Sequence, residues 1–233
     1  MLYGRNAVHE ALRARRRPVH QIWATQSTLR SEGWLQSRTV DVVDADELTR
    51  LAGTDAHQGV CARADGYPYA DAAGFLAAEA PLIVALDEVQ DVQNLGAIAR
   101  TAECAGATGL VIPERRSAEV TPAAAKASAG AVEHLPVARV RNLADFLADA
   151  KAAGCWIYGA AGTAEAVPWT TPDYAGGIVL VMGAEGTGLR PRVADSCDAL
   201  VALPLAGRIS SLNVSAAAAA LLYEIVRGRT TSA

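Results

Sequence analysis

Three short polar stretches carry the residues of this chain that could do chemistry. The first runs Asp87-Glu-Val-Gln-Asp-Val-Gln-Asn94-Leu-Gly-Ala-Ile-Ala-Arg100-Thr-Ala102 and reads as a strand end, a polar loop and a helix start. Asn94 has the side chain of an N-cap. Arg100 lies four residues after Gly96, on the same helical face. At about 100° per residue it points away from the apolar stripe of Leu95, Ile98 and Ala102. Such an arginine either faces something held over the loop, with Gly96 leaving that space open, or is a surface residue pairing with Glu103.

The second stretch is Met182-Gly-Ala-Glu185-Gly-Thr-Gly188. Its glycines let backbone approach a ligand closely or take positive φ, and its one carboxylate can accept from hydroxyl or amino groups. It is neither a G-x-G-x-x-G fingerprint nor a P-loop, which needs a Lys-Ser/Thr pair, and alone it also reads as an ordinary turn. The third is Leu203-Pro-Leu-Ala-Gly-Arg-Ile-Ser-Ser-Leu-Asn213-Val-Ser215. Pro204 stops a strand, Gly207 permits a turn, and Ser210 or Ser211 can cap a helix beginning near Leu212. The Ala216–Ala220 run lets that helix pack closely within the fold or against a second subunit; a capped core helix with nothing bound is the other reading.

Apolar runs must hold these loops in place. Leu82–Leu86, Gly109–Ile112, Trp156–Ala160, Ile178–Met182 and Ala199–Leu203 read as buried strands. Asn94–Ala105, Leu143–Ala152 and Leu212–Arg227 read as helices. Near-continuous apolar strands alternating with helices predict an α/β fold with a parallel sheet covered on both faces. Ligands in such sheets bind beyond the carboxyl ends of the strands, so Val179–Tyr223, two strand-end loops and a helix, outlines a site.

Residues 5–16 have helical spacing, Ile22–Ala24, Val40–Val43 and Gly59–Arg63 are β-rich, and Asp46–Ala52 is a helical turn or two. Together they predict a small α/β module over residues 1–66. Gly66-Tyr-Pro-Tyr and the alanine-rich Ala70–Ala80 predict a linker over 67–80, followed by the larger domain, 81–233.

The net charge of −4 hides an asymmetry: residues 1–40 carry seven arginines against Glu10 and Glu32, a net +5, while residues 67–233 carry 12 basic and 17 acidic residues, a net −5. A basic end on an acidic body suits a polyanion, with Arg5, Arg13, Arg15, Arg16 and Arg17 as the binding residues; the alternative is a solvated helix end. Four scattered cysteines with no C-x-x-C pair argue against zinc and predict buried thiols. No apolar run approaches a membrane span and the first residues lack a signal peptide's apolar core, which predicts a cytoplasmic protein.

The segments NLGAIARTA, GAEGTG and LPLAGRISSLNVSAAAA resemble, in order, the three motifs of the SpoU (TrmH-like) branch of the SPOUT RNA 2′-O-methyltransferases. Lys126-Ala-Ser-Ala-Gly-Ala-Val-Glu-His-Leu-Pro136 also looks like that family. Tyr3-Gly-Arg-Asn-Ala-Val8 and His57-Gln-Gly-Val60 make the first 66 residues similar to the L30e-like substrate-binding domain of its RlmB-like 23S rRNA guanosine-2′-O-methyltransferase subfamily.

The resemblance implies a SPOUT-type parallel sheet with a C-terminal trefoil knot, S-adenosyl-L-methionine (AdoMet) as cofactor, no metal, and a homodimer whose second subunit completes the site. It places Gly183, Leu203 and Leu212 against the cofactor, with Ala160, Gly162, Thr163, Met182 and Gly188 lining the pocket. It makes Asn94, Arg100, Glu185, Ser211 and Asn213 the catalytic set. It makes Arg100 the base or base-assisting group for the ribose 2′-hydroxyl; because a guanidinium is a poor base, the alternative is that Arg100 binds the neighbouring phosphate and stabilises the developing alkoxide. The implied activity is 2′-O-methylation of rRNA, most simply a guanosine of 23S rRNA. The alternatives are tRNA or an antibiotic-target site of 23S rRNA, or a non-catalytic RNA-binding assembly factor.

Overall fold

The computed structural model describes residues 1–231, so Ser232 and Ala233, the end of the 81–233 span, lie outside the described residues. Two sheets organise the chain. In the first, β1 (Leu2–Tyr3), α1 (Arg5–Ala14), β2 (Val19–Ala24), α2 (Gln26–Ser31), β3 (Asp41–Val42), α3 (Ala45–Ala52) and β4 (Val60–Ala64) build a four-stranded sheet ordered β1-β4-β2-β3. Helix α1 buries Ala7, Val8 and Ala11 along one face, and Asp44 caps α3 by accepting from the Glu47 amide.

The second sheet contains β5 (Leu82–Asp87), β6 (Gly109–Pro113), β7 (Val137–Val140), β8 (Trp156–Ala160), β9 (Val167–Pro168), β10 (Ile178–Gly183) and β11 (Ala199–Ala202), in the order β7-β6-β5-β10-β8-β11-β9. All its strand pairs are parallel. Between the strands come α4 (Val92–Cys104), α5 (Pro122–Ala127), α6 (Leu143–Ala152), α7 (Pro191–Asp195) and α8 (Val214–Thr231). Alternate residues of β5 serve opposite faces: Leu82, Val84 and Leu86 join the core under α4 and α8, and Ile83 and Ala85 the core under α6. The uninterrupted apolar runs are explained by this two-sided burial. Among the described residues no helix is long and apolar enough to cross a membrane.

Several expectations change. Helix α4 starts earlier than expected: Asp91, not Asn94, is its N-cap and accepts from the Gln93 amide. Helix α8 starts later, at Val214, and Asn213 rather than Ser210 or Ser211 takes the amide of Ser215 at 2.9 Å. In both places several short polar side chains compete for one role, and backbone geometry decides between them. Gly96 does not leave space over the loop, since a Cβ there would sit 2.5 Å from Ala127 Cβ and 2.8 Å from the Ser128 amide. It lets α4 lie directly on the end of α5. Cys61 and Cys155 are buried, but Cys197 is half-buried and Cys104 exposed.

Residues 67–80 are packed against the larger sheet. Ala72–Ala77 forms a 3-10 helix whose Phe75 fills the space over Gly109, where a Cβ would be 2.5 Å from the ring. Ala70 bridges to Ala138. The two sheets are joined through Arg16 and Arg17 at the end of α1. Arg16 donates to the Tyr67 hydroxyl at 3.3 Å and the Pro68 carbonyl at 3.2 Å. Arg17 forms a two-pronged ion pair with Glu133, its Nε lying 3.1 Å from Oε2. The two side chains are only 8% and 1% exposed, and both guanidinium groups stand over the Tyr67 ring.

Candidate active site

The three polar stretches converge at the carboxyl edge of the larger sheet. β5 and β10 are paired neighbours, aligned Gly183 to Asp87 at their ends, so the loops leaving them lie side by side. From the first, α4 carries Asn94, which is 7% exposed, toward the second. Asn94 Nδ2 donates to Glu185 Oε1 at 3.1 Å. From the third, Asn213 Nδ2 donates to the same oxygen at 2.6 Å and to Asn94 Oδ1 at 2.9 Å. The Val214 amide adds a longer contact of 3.4 Å to Glu185 Oε1. Glu185 thus ties three segments far apart in sequence, while its Oε2 accepts no hydrogen bond among the described residues.

Beside this cluster opens a cavity of about 370 Å³. Its floor is the strand ends Ala160, Met182, Gly183 and Val201, and its walls include Gly162, Glu185, Gly188, Leu203, Ser211 and Leu212. The lining is mostly small residues, backbone and leucine. The Gly183–Gly188 turn closes through Ala184–Gly188 backbone bonds of 3.1 and 2.9 Å in the two directions, with Gly186 and Gly188 at φ of 80° and 70°. Gly183 has no room for a side chain: a Cβ would lie 2.3 Å from Gly188 C and 2.5 Å from its O. Gly183→Ala is therefore expected to cost about 1–3 kcal/mol in overpacking and to displace the turn that lines the cavity, read as a lowered Tm together with loss of cofactor binding by calorimetry.

Of the residues proposed for the cofactor, Ala160, Gly162, Met182, Gly183, Gly188, Leu203 and Leu212 line this cavity, whereas Thr163 is not among its lining residues. Of the proposed catalytic set, Asn94, Glu185 and Asn213 come together and Ser211 lines the wall. Arg100 stands apart, exposed on α4, with no hydrogen bond or ion pair among the described residues; the pairing with Glu103 is not formed.

The arginines proposed for RNA divide. Arg16 and Arg17 face inward between the sheets, a correction that spacing could not have supplied because their partners include Val132, Glu133 and Leu135. Arg5 is exposed yet paired with Glu32 at 3.1 Å, Arg13 is paired with Glu10 at 3.0 Å, and Arg15 is exposed.

One supporting pair escapes a reading of the sequence. Asp87, completely buried at the end of β5, accepts from the Arg190 amide and from its Nε, both at 2.7 Å. This fixes the start of α7 and the exit of the glycine turn. A lone carboxylate closing an apolar strand is the signal that could have found it.

Known proteins are similar to this chain in both sequence and fold. The model of the SpoU rRNA methylase family matches residues 81–223, and that of the RNA 2′-O ribose methyltransferase substrate-binding domain matches residues 1–70. The 23S rRNA (guanosine-2′-O-)-methyltransferase RlmB of Pseudomonas putida is 39% identical, over 98% of this chain and 96% of its own length. Among solved structures, the AdoMet-bound rRNA methyltransferase of Sinorhizobium meliloti superposes with a TM-score of 0.80 at 29% identity, covering 97% of this chain and 85% of that one. The SpoU methyltransferase AviRb of Streptomyces viridochromogenes, in complex with AdoMet, superposes with a TM-score of 0.82 at 27% identity, covering 99% and 90%.

Proposed function

The chain belongs to the SpoU rRNA methylase family of RNA 2′-O-methyltransferases, and from that premise we propose that it uses AdoMet to methylate the ribose 2′-hydroxyl of a guanosine in 23S rRNA. The observation that carries this reading is the meeting of Asn94, Glu185 and Asn213, from three separate stretches, beside a cavity walled by small residues and backbone. Its volume of about 370 Å³ lies within the range of small-molecule sites. Backbone amides and carbonyls with leucine edges suit a nucleoside moiety, and the closeness of Gly183 to Gly188 fits a wall that must be backbone alone.

AdoMet, when bound, supplies an electrophilic sulfonium methyl. In this reading Gly183, Leu203 and Leu212 hold it, with Ala160, Gly162, Met182 and Gly188 around them. Glu185, its Oε1 held by Asn94 and Asn213, presents Oε2 toward the incoming ribose or cofactor. Ser211, on the wall of the same cavity, offers its hydroxyl to the incoming ribose in this reading. Arg100 grips the phosphate beside the target ribose and stabilises the alkoxide as the 2′-hydroxyl releases its proton to water. Holding the nucleophile near the methyl group contributes most of the rate.

We also propose a homodimer. It is supported by the exposure of Ile209 and Tyr223, at 75% and 53%, on the loop before α8 and on α8 itself. An exposed, unpaired Arg100 on α4, which packs against α8, is suited to reach a neighbouring subunit's cavity. The division into 1–66, 67–80 and 81–233, the trefoil knot and the cytoplasmic address belong to the same reading. The knot is supported by the strand order β5-β10-β8-β11 and the return of α8 onto α4.

The test is tritiated AdoMet with 23S rRNA and nuclease mapping of the product. Label on one guanosine ribose is expected. No label on any ribose from dimeric, AdoMet-binding protein overturns the activity, and label confined to tRNA overturns the choice of substrate.

A further inference from the structure

A second cavity, of about 590 Å³, lies on the same edge of the larger sheet and is lined by five arginines: Arg115, Arg116, Arg141, Arg190 and Arg192. They come from separate places. Arg115 and Arg116 follow β6, Arg141 follows β7, and Arg190 and Arg192 flank the start of α7. Two carboxylates share the lining, Glu88 and Asp145. Glu88 lies 3.5 Å from Arg190 and 3.6 Å from Arg116, and Asp145 lies 2.8 Å from Arg192. Buried Asp87 holds Arg190 from beneath at 2.6 Å. Arg115 and Arg141 have no hydrogen bond or ion pair among the described residues. Five guanidinium groups against these three carboxylates leave two positive charges in excess within one concavity.

Crowding like charges into a recess raises the free energy of the empty protein, and the same focused potential attracts a polyanion. Guanidinium groups are suited to phosphate, whose oxygens they can grip with two parallel donors. Position narrows the ligand further. This cavity sits at the ends of β5, β6 and β7, the cofactor cavity at those of β8, β10 and β11, and β5 pairs with β10. At about 4.8 Å between strands the two centres are roughly 15 Å apart along the edge, a reach of a few nucleotides. The N-terminal cluster supplies less of this charge than its sequence suggests, because Arg16 and Arg17 are held between the sheets.

We propose that the arginine cavity binds phosphodiester groups of the substrate RNA flanking the target ribose, with Arg115 and Arg141 as its uncommitted contacts; this rests on the RNA-methyltransferase reading. The test is the Arg115→Gln/Arg141→Gln protein, whose replaced side chains are exposed and partnerless and so leave the fold intact. Binding of a fluorescent single-stranded rRNA fragment is titrated between 50 and 200 mM salt, at about 0.7 in log–log slope per phosphate contact, with AdoMet affinity measured in parallel by calorimetry. The expected result is a salt slope lower by about 1.4 than in the unaltered protein, with AdoMet affinity unchanged. An unchanged slope, with the unaltered protein binding RNA, overturns the cavity assignment alone. So does the same loss of slope in an Arg13→Gln/Arg15→Gln protein but not in this one, which would return phosphate binding to α1. No RNA binding by the unaltered protein overturns the functional reading and this assignment with it.

Discussion

Glu185→Ala is expected to lower kcat for methyl transfer into rRNA by about 10²–10³-fold, the size of effect seen when one preorganised polar group is removed from a reacting centre. Three donors, Asn94 Nδ2, Asn213 Nδ2 and the Val214 amide, address Oε1. Removing the carboxylate leaves Asn94, 7% exposed, with a stranded donor and leaves the 203–213 loop tied to α4 only by the Asn213–Asn94 bond of 2.9 Å. The wall containing Ser211 and Leu212 then loses most of its anchoring, so KM for AdoMet should rise as well. Glu185→Gln separates geometry from charge: its Oε1 still accepts from both asparagines, so the cavity should keep its shape and AdoMet affinity should change little. If Glu185 acts through charge, Gln lowers kcat nearly as far as Ala. If it acts only as a tie, Gln restores most of the rate. Single-turnover transfer from tritiated AdoMet, with calorimetry on the same proteins, reads both quantities, and near-normal kcat in the alanine protein would remove Glu185 from the chemistry.

Which elements are legible in the amino-acid sequence follows a physical division. Strands buried on both faces announce themselves as unbroken apolar runs, which is why the expected bounds of β5, β8 and β10 agree with the fold to within a residue or so. Short edge elements carry too little sequence to do this: β7 is four residues containing an arginine, β9 is two, and neither stands out from its surroundings. Helix α5, Pro-Ala-Ala-Ala-Lys-Ala, has no apolar stripe, and its burial depends on the gap that Gly96 opens in α4. Caps are ambiguous where several capping residues crowd together, Asp91 with Asn94 and Ser210 with Ser211 and Asn213. In the candidate site, the residues facing the cavity follow from strand-end position, but the bonds joining residues 94, 185 and 213 depend on strand order. Strand order is not contained in local periodicity, and only the motif resemblance points to it.

Arginines are the hardest case, because one side chain serves equally as a solvated charge, a phosphate ligand or a buried brace. Arg17→Ala should show which of these Arg17 is, with an expected loss of about 3–5 kcal/mol of stability, the cost of breaking a buried ion pair from one side. Glu133, 1% exposed, would keep a carboxylate out of water without its cation. Contacts of Arg17 with the Asp65 carbonyl, at 3.1 Å, and with the Tyr67 ring, at 5.7 Å, would go too. Since these groups join the first 66 residues to the larger sheet, the loss should appear in urea unfolding and as proteolysis within residues 66–80. The reciprocal change argues the cause: Arg17→Met/Glu133→Leu removes both charges while keeping apolar bulk, and replacement of a buried pair by packed apolar side chains is often neutral, so this protein should recover most of the stability. RNA affinity in it should then approach that of the unaltered protein, because Arg17 orients the N-terminal sheet without touching RNA. Weakened RNA binding at full stability in the double replacement would make Arg17 a direct RNA contact and reverse that assignment.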